Sequence, residues 1–228
     1  TSYLNREGDF VARSVKAYSN QGGYASHAHA LVANAINAFR MMYPVGAIKG
    51  EAYTVYTNLA TAGAMRAYGI PQISFALESH IDDIAKVTGL DPIAIRKRNM
   101  MKLGYVDPIT TITCHSTGLE ECIERGEKYL NYSEKREKYS KQSGAIRRGV
   151  GMSIFCYKSC VYPINLETSA CRLVLNQDGS AQLETGATEI GQGADTVFTM
   201  MAAETLGFTI DKIHLISRQD TDVTPYDS

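Results

Sequence analysis

With 228 residues, 44% of them hydrophobic and 21% charged, the chain has the composition of a folded protein large enough for one large domain or two small ones. A formal net charge of −1 and a pI near 6.5 offer neither the positive field of a nucleic-acid binder nor a polybasic membrane anchor. No apolar run is long enough for a membrane span, and residues 1–20 lack the basic-then-apolar pattern of a signal peptide, so the expected setting is cytoplasmic and the expected partner a small molecule or another protein.

In chain order, residues 10–19 alternate as a strand does, and Asn20-Gln21-Gly22-Gly23 supplies turn chemistry. Leu31, Ala35, Ile36 and Phe39 then share one face of a helix predicted over Ser26–Met42, with Ser26 as N-cap. His27 and His29 lie two apart at its start, which is not the i, i+4 spacing of a helical metal site, and they read as turn and cap residues. Ile48–Tyr56 is β-rich, and residues 57–66 form a small-residue loop ending in Arg66, whose long cationic side chain can reach into a crevice or lie in solvent.

Pro71-Gln72 opens a core helix with Ile73, Leu77, Ile81 and Ile84 on one face, closed by Gly89. Asp91-Pro92 caps the next one, running to about Met101. Thr117-Gly-Leu-Glu120 fits a capping box before an amphipathic helix, and the mixed charges of residues 133–148 read as a solvated linker helix. That stretch divides the chain into a first lobe, 1–145, and a second, 146–228. The second is expected to run as strands over 149–157, 170–176 and 180–185, the last two joined by an Asp178-Gly179 hairpin turn, then the helix Ala194–Leu206 and a strand near 212–217. The fold class is therefore α+β, with two mixed α/β lobes.

Five scattered cysteines argue for reduced thiols, and Cys156 and Cys160 have no second Cys/His pair at zinc spacing. The stretch that concentrates glycine is Gly186-Ala-Thr-Glu-Ile-Gly191-Gln192-Gly193, between a strand and a helix. Backbone amides at such a turn, aided by the helix dipole, suit an anion. It matches neither the dinucleotide fingerprint, since Thr196 stands where a third glycine is needed, nor the P-loop. Taken alone, the turn also admits a non-catalytic module that binds phosphate or packs on a partner.

Four longer segments, Tyr56–Gln72, Asp91–Asn99, Gly186–Phe198 and Gln219–Pro225, resemble the molybdenum hydroxylase (xanthine oxidase) family, in particular the molybdenum-binding subunits of its bacterial xanthine dehydrogenases, in order and along essentially the whole chain. The resemblance implies a molybdopterin-type molybdenum cofactor and hydroxylation of an electron-poor carbon, on a purine or another N-heterocycle, with oxygen from water. Electrons would leave through iron–sulfur clusters and FAD on partner domains or subunits. An aldehyde, nicotinate or an aromatic thioester is the alternative substrate within the family.

Residue by residue, Arg66 resembles the arginine whose backbone lies against the molybdenum centre, and Ile190, Gly191, Gln192 and Gly193 resemble the turn that binds the cofactor. Tyr68 falls where eukaryotic xanthine enzymes stack a phenylalanine on the purine. Asn34 replaces their substrate-polarising arginine, while Val161 and Tyr162 replace a second phenylalanine and its neighbouring threonine. Ala67 stands where copper-containing carbon monoxide dehydrogenases have cysteine, which argues against that activity. The family's general-base glutamate is expected beyond Ser228, so no catalytic residue is assigned within the chain. Since the sequence opens at Thr1 without methionine, it is expected to be a segment of a longer subunit and inactive alone.

Overall fold

The computed structural model describes residues 1–157, 168–217 and 226–227, which fall into two compact units, Thr1–Tyr157 and Lys158–Ser228. The first unit begins with β1 (Ser2–Leu4) and β2 (Phe10–Gly22), followed by α1 (Ala28–Met42), β3 (Ala47–Tyr56), α2 (Ile70–Thr88), α3 (Pro92–Asn99), α4 (Leu119–Leu130) and α5 (Tyr132–Ser140). β1 runs antiparallel and β3 parallel to β2, so β2, α1 and β3 make a βαβ crossover. The β2–β3 register sets Tyr18 opposite Tyr53, and their rings stack at 5.2 Å under Lys16.

The apolar stripes of α1 and α2 close the core around Phe39, Ile73, Leu77 and Ile81. Several charges are buried with it. Glu78 accepts from the Tyr43 hydroxyl at 2.6 Å, from Arg96 Nε at 2.7 Å and from the backbone N–H of Ile154 at 2.9 Å. Arg40 pairs with Asp107. Arg13 donates to the carbonyls of Phe39 and Tyr43 at 3.1 and 2.7 Å and lies 4.0 Å from the Phe39 ring centre; burial lowers its guanidinium to about 10.

Several local expectations shift. His27, not Ser26, occupies the N-cap position of α1, and no side chain caps that helix. The Thr117 capping box does not form: Gly118 takes the cap position, and Thr117 Oγ1 accepts only from the N–H of Leu119, at 3.3 Å. Helix ends at Ser140, well before residue 148. Residues 149–157 carry no strand, and Ile154 packs in the core of the first unit, its N–H satisfied by a side chain in place of a ladder partner. The chain divides into its two compact units at 157/158.

The second unit contains β4 (Thr168–Ser169), β5 (Cys171–Leu175), β6 (Ala181–Thr185), α6 (Ala194–Leu206), β7 (Ile213–Ile216) and β8 (Tyr226–Asp227). β5 and β6 form the expected hairpin, its turn held by Asp178, which accepts from the N–H and hydroxyl of Ser180 at 2.9 and 2.7 Å. β6, α6 and β7 then make a second βαβ crossover, because β7 lies parallel to β6. Ala181, Leu183, Ala203 and Ile213 form its small core. The fold is α+β, and in each unit a glycine-bearing turn follows the central strand.

Candidate functional site

The residues singled out by sequence fall in both units, and each group is described within its own. In the first unit they lie on the connection from β3 to α2. Its early part is stitched to the turn after β2: the N–H of Thr57 donates to Gly22 O at 3.0 Å, that of Gly23 to Leu59 O at 3.1 Å and that of Ala62 to Gln21 O at 3.0 Å. A Cβ at Gly22, which has φ 77°, would stand 2.2 Å from the Ala60 carbonyl oxygen, so only glycine permits this approach. Arg66 follows, with its side chain exposed.

The next three residues, Ala67, Tyr68 and Gly69, all have positive φ, at 71°, 43° and 90°. Left-handed backbone costs a non-glycine residue roughly 1–2 kcal/mol, so the surrounding contacts must hold this turn in place. They do so at both ends of Tyr68. Asn34 Nδ2 donates to the Tyr68 carbonyl at 2.8 Å, and the Tyr68 hydroxyl lies 3.0 Å from His27 Nδ1 with the two rings edge to face. Burial raises the phenol pKa of Tyr68. The structure thus brings Asn34 and Tyr68 together and adds His27, which the sequence marked only as a cap residue. Val161 and Tyr162 lie outside the described residues.

In the second unit the glycine turn between β6 and α6 is closed by its own side chains. Glu189 Oε1 accepts from the N–H of Gly191 at 2.6 Å and of Gly193 at 3.1 Å, while Oε2 accepts from that of Asp195 at 3.4 Å. Gly191 and Gly193 have φ 92° and 78°, and the amides of alternate residues, 191, 193 and 195, meet at one carboxylate. The hydrogen bond from Gly193, ahead of those from Gly191 and Asp195, holds that carboxyl below its ordinary value.

Gln192 folds the other way: its Oε1 accepts from the N–H of Ile190 at 2.7 Å and its Nε2 donates to Thr188 O at 2.9 Å. The amides expected to face a ligand anion therefore already have an anion. Glu189 went unnoticed in the sequence, although an acid shortly before a glycine-led helix start is a recognisable capping signal.

The turn's backbone is thus held by one carboxylate, Glu189, and one carboxamide, Gln192. Among the described residues, no group of three or more His, Cys, Asp or Glu could hold a metal ion. Two family models, each described as Molybdopterin cofactor-binding domain, match the chain, one over residues 2–100 and the other over 125–228. The chain belongs to the molybdopterin cofactor-binding domains of the molybdenum hydroxylases.

Over 98% of its length it is 45% identical to the xanthine dehydrogenase molybdenum-binding subunit of Escherichia coli O157:H7, of which it spans 30%. Its fold matches the aldehyde oxidoreductase of Desulfovibrio gigas with a TM-score of 0.80 at 28% identity, covering 95% of this chain and 24% of that one. Quinoline 2-oxidoreductase of Pseudomonas putida, at 21% identity, TM-score 0.77 and coverage of 93% and 29%, shares the fold. A Cβ at Gly193 would meet nothing within 4 Å, so there is open space beside the backbone of the turn.

Proposed function

We propose that this chain is the cofactor-facing part of a xanthine dehydrogenase-type oxidoreductase that hydroxylates an electron-poor carbon of a purine or another N-heterocycle with oxygen from water. The observation that carries the reading is the 45% identity along 98% of the chain to a xanthine dehydrogenase molybdenum-binding subunit. The bound cofactor supplies the oxygen-transfer and two-electron chemistry, which the protein's own groups cannot provide. Iron–sulfur and FAD subunits carry the electrons onward. No helix among the described residues is long and apolar enough to cross a membrane, and a cytoplasmic setting belongs to the same reading.

In this reading Ile190, Gly191, Gln192 and Gly193, with the backbone of Arg66, hold the cofactor. Tyr68 offers its ring face to a planar heterocycle. Asn34 acts by fixing Tyr68, because its amide donor is engaged with the Tyr68 carbonyl. The likeness to an aldehyde oxidoreductase favours an aldehyde as the second candidate substrate. A phosphate-binding module finds less support, since both halves match cofactor-binding domains and Glu189 takes the turn's amides.

The test is to express the full-length subunit with its iron–sulfur and flavin partners in a molybdate-fed host. Molybdenum content and xanthine-dependent dye reduction are measured first, then turnover of aldehydes, nicotinate and an aromatic thioester. Metal-free protein from that host sinks the molybdenum reading, and turnover confined to aldehydes sinks the purine one.

A further inference from the structure

The turn from Gly186 to Gly193 poses a physical problem. Its amides converge on one point, at the N-terminus of a helix whose cap residue, Gly193, has no side chain. Such a point draws an anion, and the chain fills it from within. Glu189 reaches the N–H groups of Gly191, Gly193 and Asp195, and Gln192 braces the same loop through Ile190 N–H and Thr188 O. Two side chains thus define the turn with opposite orientations, the acid inward on the amides and the carboxamide along the loop. An amide nitrogen carries two hydrogens, so Gln192 can serve Thr188 and still donate outward.

We propose that Glu189 is a positioning residue for the cofactor: its carboxylate locks the amides of Gly191, Gly193 and Asp195, so that the turn meets its ligand with the Gln192 carboxamide and not with bare helix amides. The inference rests on the reading that this turn binds the molybdenum cofactor. Charge supports it. A ligand phosphate directed at these amides would have to displace Glu189 or sit against it, and two anions in one nest repel. The turn therefore favours a neutral or hydrogen-bond-accepting face of the cofactor, with the phosphate held elsewhere.

The proposal is tested in the full-length subunit assembled with its partners, using Glu189→Ala, Glu189→Gln and, separately, Gln192→Ala. Molybdenum and pterin per folded subunit, the rate of cofactor release on dilution and the Tm of the cofactor-free protein are measured. Glu189→Ala is expected to lose roughly fivefold or more of the bound cofactor, the scale of a lost helix cap. Glu189→Gln, which keeps an acceptor oxygen without the charge, should lose less.

A merely structural cap would lower Tm and leave the loading of the folded fraction unchanged, and that result overturns the proposal. So does Glu189→Ala loading as well as, or better than, wild type, the outcome if the carboxylate only keeps the place of a ligand phosphate. Should Glu189→Ala fail to fold, Glu189→Gln decides: wild-type loading and release overturn the proposal, faster release supports it. If Gln192→Ala also loads normally, the assignment of the turn to the cofactor fails. If Gln192→Ala loses cofactor and the Glu189 variants do not, the role of Glu189 alone fails.

Discussion

Tyr68 shows how much local structure can be spent on placing one ring. Its backbone sits in a left-handed conformation disfavoured for any side chain, its carbonyl is tied to Asn34 and its hydroxyl to His27. A ring that only needed to be buried would not require two tethers from α1. Tyr68→Phe keeps the stacking face and removes one hydrogen bond, whose net worth is about 1 kcal/mol. The expected result in the assembled enzyme is a several-fold rise in KM for xanthine with kcat little changed. His27→Ala should reproduce that rise, and the double variant should add almost nothing to either, because both delete the same contact. Independent, additive effects in steady-state kinetics would show that the His27–Tyr68 contact does not matter for substrate. Neither tether was legible in the sequence. Asn34 was reached through resemblance and His27 through its place at a helix start; that both converge on Tyr68 is tertiary information.

At the scale of elements, two stabilities can be separated. The α2–α3 pair is pinned by Glu78, which serves Tyr43, Arg96 and Ile154. Removing one partner of a buried ion pair strands the other charge, so Glu78→Ala should destabilise the subunit by roughly 3–5 kcal/mol, read from denaturant unfolding. At the start of α6 the effect depends on pH. The Glu189 carboxyl is held below its ordinary value of 4.5, first by the Gly193 N–H. A depressed folded-state value means the contribution is present above 4.5 and is lost as pH falls through the folded value. Hydrogen-exchange protection of the Gly193 and Asp195 amides, corrected for intrinsic rates, should therefore decline in acid below that point, and in Glu189→Gln, which keeps an acceptor but not the charge, it should be lower than wild type at neutral pH and lack that acid decline.

The elements with strong local signals were readable in advance. α6 follows from its glycine turn and apolar period, α3 from Asp91-Pro92, whose carboxylate accepts from Ile93 and Ala94, and the β5–β6 hairpin from Asp178-Gly179. What escaped was set at a distance. β1 is three residues long and exists because β2 is there to pair with it. Residues 149–157 have strand-like composition, yet Ile154 donates to a glutamate on α2.

For the whole molecule, the two units repeat one scheme: an antiparallel strand, a central strand, a glycine-bearing turn, a crossover helix and a parallel third strand. The chain spans 30% of the xanthine dehydrogenase molybdenum-binding subunit it matches, and three of the four segments that carry its resemblance to the family lie wholly among the described residues. Gly22→Ala tests how tightly the scheme is specified. The added Cβ runs into backbone, 2.2 Å from Ala60 O, at a positive φ, and the loop leading to Arg66 must move. Cofactor loading of the assembled subunit should fall even though residue 22 is remote in sequence from every candidate contact, whereas Gly89→Ala, with nothing within 4 Å, should cost stability without loss of loading per folded molecule.

If Tyr68 faces the substrate as proposed, its tethering also bears on how substrate range could be altered, by selection or in the laboratory. A new side chain at position 68 inherits a left-handed backbone, a carbonyl held by Asn34 and one contact, from His27, made for a phenol. Variation there alone exchanges ring chemistry on a fixed mount, while covariation of residues 27, 34 and 68 changes the mount itself. Libraries built on the triplet should therefore yield new specificities that saturation of position 68 does not reach.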